Sequence, residues 1–294
     1  MTEPQARTLV SSGQLNRHKV AYRVLLTLVV VIATLIFIGP LYFLFTDGLK
    51  STAESVQVPP TIVPAHVHPG TYASAWSRVG LGRLLVNTLY YAFGALAFQL
   101  VFDVAAAYSL SRLRPVLGNL IFALMLATLM IPATVLLVPQ YVTVSDLPLL
   151  HLNLIGSPEA IWLPSVANAF NIFLLKRFFD SIPTELLQAA AIDGASPLRT
   201  LRSVVLPISR PIIGVVSIFS LVAVWKDFLW PLLVEYGYNP NRETLNVGIF
   251  EASSTTQQNL VLAASAMAAV PTLVFFLIFQ RNILSGLTAG SLKG

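Results

Sequence analysis

The chain has 294 residues, of which 55% are hydrophobic and only 11% charged, against about 25% charged in soluble domains, so an ordinary soluble globular protein is excluded. A net charge of +5 with a pI near 9.6 would suggest nucleic acid in a soluble protein, but in so apolar a chain it reads as basic loops retained on one side of a membrane. Cysteine is absent, which removes disulfides, thiol nucleophiles and cysteine-ligated metals.

Residues 1–21 are polar and basic (Arg7, Arg17, Lys19) and read as an N-terminal arm without a core. The first apolar stretch, 22–46, is long enough to span a bilayer, and without a small-residue cleavage site after it the expectation is an uncleaved anchor. A proline-rich polar segment follows to Arg83, with Tyr72 and Trp76 expected near the outer interface. Further spans are expected at about 84–110, 117–138, 159–179, 211–233 and 258–280, the fourth weakened by Pro164, Asn168 and Asn171. Six spans put both termini on one side. Of the 18 Lys and Arg residues, only Lys50, Arg78, Arg83 and Arg242 fall outside and Lys226 within a span, so both termini are expected in the cytoplasm and residues 281–294 form a cytoplasmic tail.

The longest polar island, 183–210, then lies inside. Good helix formers run from Glu185 to Ile192, with Pro183 placed where a first turn tolerates it. Asp193-Gly194 ends that helix, and Ser196-Pro197 restarts one as N-cap and first helical residue. Ala189, Ala190 and Ala191 leave a slim cylinder suited to a groove on another protein, although a plain helical hairpin between two spans would also satisfy the pattern.

The run Gln188-Ala189-Ala190, then Gly194, then Leu206-Pro207 resembles the cytoplasmic "EAA" loop of permease subunits in binding-protein-dependent ABC importers, with Gln188 in place of the family's Glu. The resemblance extends over nearly the whole chain. Tyr72-x-x-x-Trp76 before Asn87-Thr88-Leu89, Ala107-Tyr108-x-Leu110-x-Arg112, and Trp225-x-x-Phe228-x-Trp230-Pro231 are similar to the carbohydrate branch. The ending Gln280-Arg281, Gly286-Leu287-Thr288-Ala289-Gly290 and Lys293-Gly294 resembles the G-type subunit of maltose-like systems. The resemblance implies an all-α permease with six transmembrane helices of the type I importer fold. It also implies that Glu185, Gln188, Ala189, Ala190, Asp193, Gly194, Leu206 and Pro207 couple to an ATPase subunit, and that Gly286, Thr288 and Gly290 in the tail meet it too. The implied partners are a second, homologous permease, two copies of an ATP-binding subunit carrying ATP and Mg, an external solute-binding protein and a sugar or related polyol. The implied place is a bacterial or archaeal plasma membrane.

No Walker P-loop occurs, so phosphate chemistry is expected on partners, no cofactor on this chain, and no nucleic acid. His66-x-His68 is the only close histidine pair and reads as a solvated loop, with no metal site expected. Asp103, Lys226 and Asp227 are ionisable residues within spans, costly enough to need a reason. Lys226 and Asp227, with Asn87, Asn168 and Asn171, are candidates for the solute pathway; a snorkelling lysine and interhelical hydrogen bonds explain the same residues structurally. The rival readings are a self-contained channel or ion-coupled transporter, for which carboxylate chains and inverted repeats are not evident, and a membrane enzyme, for which no catalytic constellation is legible.

Overall fold

In a computed structural model, which describes residues 19–289, the chain is helical with no strand among the described residues beyond an isolated bridge between Leu147 and Leu152. Helix α1 (Lys19–Asp47) carries Pro40 within it, and no residue from 22 to 47 is buried. It ends in a latch: the ammonium of Lys50, itself buried, pairs with Asp47 and donates to Thr61 O. Helix α2 (Gly70–Arg78) leads through Gly80, at φ 71°, into the long α3 (Leu81–Tyr108). Tyr72 packs on the cluster about Leu84 and donates to Phe45 O at 2.7 Å, while Trp76 is half exposed.

Helix α3 is the central post. The apolar faces of α6 (Ala169–Ser181) and α8 (Arg210–Lys226) lie along it. In a bilayer lipid is as apolar as leucine, so helices associate where small side chains let backbones approach. The buried alanines Ala92, Ala95 and Ala107 of α3 and Ala263, Ala264 and Ala266 of α11 (Gln258–Ala289) meet that condition. The core falls into three clusters, one about Leu84, Trp225 and Ala263, one about Ala107, Phe179 and Val216, and one about Tyr91, Ile161 and Trp230.

Among the described residues three helices are continuous and apolar enough to cross a membrane, Tyr22–Asp47, Leu81–Leu113 and Gln258–Ile278. The other expected spans are broken. The third divides into α4 (Gly118–Thr128) and α5 (Ala133–Ser145), bent by 107° at Pro132, which has no N–H to continue the ladder. The fourth, expected over 159–179, keeps only the turn Glu159–Trp162 and the 13 residues of α6, because Pro164 interrupts it and Asn168 starts a new helix as N-cap. The fifth stops at Lys226 and resumes as the short α9 (Leu229–Val234). Helix α11 runs on through Gly286 and Thr288, past the expected end of the sixth span; Gly290 and the arm 1–18 lie outside the described residues.

Candidate functional site

The polar island folds as a hairpin. Helix α7 (Thr184–Ile192) buries none of its residues. Its end is a Schellman turn, in which Ala195 N–H reaches Ala190 O at 2.9 Å and Gly194 N–H reaches Ala191 O at 3.0 Å, with Gly194 at φ 72°. Ser196 Oγ then accepts from Arg199 N–H at 3.4 Å, and Pro197 opens the second arm. That arm ends in Leu206–Ile208 and turns by 82° at Ser209 into α8. Glu185, Gln188, Ala189, Asp193 and Gly194 all stand exposed on the hairpin, and Ala190 is half-buried.

The inner side of the hairpin is fastened to the bundle. Leu187, Leu201 and Leu206 pack against the cluster of Ala107, Phe179 and Val216. Tyr108 Oη donates to Pro197 O at 3.0 Å. Arg112 donates to the carbonyls of Phe179 and Ile182 where α6 hands over to the hairpin, and Ser111 Oγ donates to Asp180 at 2.6 Å. Arg112 stands in the sequence as a motif residue of α3's basic end; its carbonyl clamp joins positions 67 and 70 residues apart, which no local spacing encodes.

The outer side of the hairpin is apolar and uncovered. Ile192 is 86% and Leu198 65% exposed, and Leu186 45%.

The second group of candidates lies at the break in the fifth span. Asn246, from α10 (Leu245–Thr255), donates to Trp225 O at 3.0 Å and Asp227 O at 3.2 Å and so satisfies carbonyls that the break releases. Asp227 is turned to the backbone N–H groups of Trp230 and Phe228, the orphan donors at the start of α9. Two cavities of about 300 Å³ flank the break, one holding Lys226, Asn246, Ser265 and Thr272, the other Asp227, Gln140, Ser165 and Thr244. The asparagines are structurally engaged. Asn87 donates to Asn241 O at 2.8 Å and Glu243 O at 3.0 Å, Asn168 caps α6 through Phe170 and Asn171, and Asn171 donates to Ser220 at 3.1 Å. Asp103, wholly buried, accepts from Asn168 N–H at 2.9 Å. Asn246 carried no signal in the sequence, since a single Asn between two expected spans has no periodicity to betray it.

Among the described residues no cluster of three or more His, Asp or Glu is set to hold a metal. One carboxylate between the expected fifth and sixth spans is nonetheless unusual. Glu243 is 2% exposed, and burial, followed by the neighbouring Glu251, pushes its carboxyl from 4.5 up to about 7, with Arg83 acting the other way. Because the folded value is raised, the folded chain holds the proton more tightly than the unfolded one; the stability this confers is full below about pH 4.5 and is lost as pH rises through 7. Glu235, past the end of α9, is driven the same way by burial and contributes a parallel loss. Glu243→Gln is therefore expected to match the parent's Tm at pH 5 and exceed it at pH 8; melting curves that stay parallel across that range count against the assignment.

The comparisons with known proteins bear on both groups. The family described as "Binding-protein-dependent transport system inner membrane component" matches residues 99–284, a stretch that takes in the hairpin, the break and most of the three core clusters. The chain belongs to this family. Among its relatives, the melibiose/raffinose/stachyose import permease protein MelC of Bacillus subtilis (strain 168) is 31% identical over 92% of this chain and 97% of its own length. The sn-glycerol-3-phosphate transport system permease protein UgpE of Yersinia pestis bv. Antiqua (strain Antiqua) is 30% identical over 88% and 94%. In fold, the permease superposes on a chain of a bacterial ABC transporter involved in the import of the acidic polysaccharide alginate, with a TM-score of 0.76 at 21% identity, covering 93% of this chain and 99% of that one. A second structure of an alginate ABC transporter, in complex with a periplasmic protein holding an alginate pentasaccharide, gives a TM-score of 0.65 at 17% identity. The permease is thus an all-α membrane subunit of an ATP-driven importer, a family in which ATP is hydrolysed by separate subunits.

Proposed function

We propose that this permease carries a sugar, a polyol or an acidic derivative of one across the plasma membrane, both termini in the cytoplasm, paired with a second, homologous permease and served by an external solute-binding protein. Two ATP-binding subunits, carrying ATP and Mg, complete the assembly, and one of them docks on the exposed hairpin. The observation that carries this reading is the hairpin itself: a slim α7 with no buried residue, clamped on one side by Tyr108 and Arg112 and uncovered on the other at Leu186, Ile192 and Leu198. Closure of the ATPase pair would push on Glu185, Gln188, Ala189, Ala190, Asp193 and Gly194, and Leu206-Pro207 would pass the displacement round the Ser209 corner into α8, whose far end carries the break at Lys226 and Asp227. Gly286, Thr288 and Gly290 would add a second contact with the ATPase. ATP drives transport in this scheme by binding one arrangement of the two permeases better than the other. The solute class is supported by the cargo in the relatives' names, which includes neutral oligosaccharides and a phosphorylated polyol.

The test is to purify the complex assembled from the neighbouring genes, reconstitute it with its binding protein and measure solute-stimulated ATPase activity over a panel of sugars and polyols. Stimulation by none of them, in an intact complex, sinks the importer-of-polyols reading. Gln188 gives a sharper check on the docking surface. A carboxylate placed in a groove adapted to a neutral amide costs several kcal/mol when it finds no partner, so Gln188→Glu should lower co-purification of the ATPase by on the order of tenfold and Gln188→Ala by less. Greater ATPase retention with Glu would overturn this, and equal retention by all three would place residue 188 outside the interface.

A further inference from the structure

We propose that the cavity beside the broken fifth span is an anion subsite in which the ammonium of Lys226 binds a carboxylate or phosphate of the transported solute, so that the cargo is an acidic sugar or phosphorylated polyol and not a neutral one. The inference rests on the importer reading above.

An ionisable residue within an expected span demands a reason, and Lys226, exposed on this chain, has only the through-space attraction of Asp227 beside it. Among the described residues Lys226 makes no ion pair and no hydrogen bond, whereas the other two spatially restrained lysines, Lys50 and Lys176, pair with Asp47 and Asp180. Its sequence neighbour Asp227 attracts it through space but makes no ion pair with it, being turned to the N–H groups of Phe228 and Trp230 and lining the opposite cavity. The partial negative charge at the C-terminus of α8 is also spoken for, because Asn246 donates to the carbonyls of Trp225 and Asp227. Lys226 therefore presents an ammonium with no ion pair of its own to a concave space of about 300 Å³, at the lower end of small-molecule pockets.

The rest of the lining suits a polyhydroxylated anion. Ser265 Oγ spends its proton on Val261 O at 2.8 Å and keeps its acceptor capacity towards the cavity's polar side. Thr272 and the amide oxygen of Asn246 add acceptors for solute hydroxyls, and Ile249 and Ala268 supply an apolar floor for the C–H face of a sugar ring. No carboxylate shares this lining, so nothing in it repels an anion.

The experiment uses the reconstituted complex with its binding protein in phosphatidylcholine vesicles, ATP enclosed, comparing the parent with Lys226→Gln and Lys226→Arg. The probes are glycerol 3-phosphate and a diuronate, set against glycerol and a neutral disaccharide. The expected result is uptake of an anionic probe that falls by about tenfold in Lys226→Gln, mainly through KM, and stays within about threefold in Lys226→Arg, the scale set by losing one charge-assisted hydrogen bond. The two anionic probes separate carboxylate from phosphate as the bound group. Uptake of neutral probes only, or an equal loss for neutral and anionic probes in Lys226→Gln, overturns the anion subsite while leaving the importer reading intact. Silence with every probe sinks both. A Lys226 effect that appears only after phosphatidylglycerol is added to the vesicles assigns the charge to a lipid headgroup and also overturns the proposal.

Discussion

Gly94→Val is expected to abolish recovery of folded permease. A Cβ at this position would stand 2.3 Å from Cε2 and 2.4 Å from Cζ2 of Trp162, distances that no real contact tolerates. The indole cannot slide aside cheaply. It stacks on Phe98 with ring centroids 5.8 Å apart, meets Tyr90 edge-on at 5.2 Å, and donates from Nε1 to Tyr91 O at 3.1 Å. Displacing it combines the cost of overpacking with an indole N–H left unpaired, about 3–5 kcal/mol together, a large share of what holds a marginally stable fold. Gly94→Ala should act in the same direction at smaller size, and Trp162→Phe introduced beside it should return part of the loss, because the two positions compete for one volume. The readout is the yield of monodisperse protein in detergent and its Tm. A Gly94→Val protein that melts within a few degrees of the parent would show that the Trp162 wedge is not held as described.

Gly194→Val should do the opposite, leaving the fold intact and stopping transport. Nothing lies within 4 Å of a Cβ built at Gly194, so no neighbour is pushed, and the hairpin is exposed on that side. The penalty is in the backbone alone. At φ 72° a β-branched residue is strained by about 1–2 kcal/mol, relieved by opening the turn that Ala195 and Gly194 close onto Ala190 and Ala191. Opening it re-aims α7 relative to the second arm, and the docking face is lost as a unit. Uptake is expected to drop by about tenfold or more with Tm unchanged, and Gly194→Asn, which tolerates this region better, should keep much of the activity. Unchanged uptake in the valine variant would mean that the angle of the hairpin does not matter to coupling.

The two glycines also mark how far the sequence could be read. Gly194 was legible because a local pattern surrounds it: a run of helix formers, Asp-Gly, then Ser-Pro, each with one conformational meaning. Gly94 was not, since its importance comes from Trp162, 68 residues away and reached only by folding. The same divide runs through the spans. Continuous apolar runs at α1, α3 and α11 could be placed from length, but the 107° bend before Ala133 could not, because Pro132 sits in apolar sequence on both sides and the composition test is blind to direction. The fourth segment read as a weak span for the right residues, Pro164 and Asn168, without showing that they leave only 13 helical residues. At the candidate sites, the charges within spans were visible as anomalies. That Asn87 ties down the loop before α10 and that Asn246 closes the break are long-range facts, with partners 19 to 156 residues distant.

The nakedness of α1 has a thermodynamic consequence. From residue 22 onward this helix buries no side chain, its hold on the rest of the chain being its packing on α11 and the fastenings of its C-terminal end at Tyr42, Lys50 and Tyr72. Its place is therefore governed by a partition equilibrium between water and hydrocarbon, in which each Leu, Ile, Val or Phe adds about 0.3–0.6 kcal/mol, and not by the cooperative melting of the bundle. Two independent stability scales coexist in one polypeptide: heating or a core mutation that dissolves the packing around α3 leaves α1 in the membrane, so the unfolded permease stays tethered, held at a fixed surface and able to refold against its own anchor.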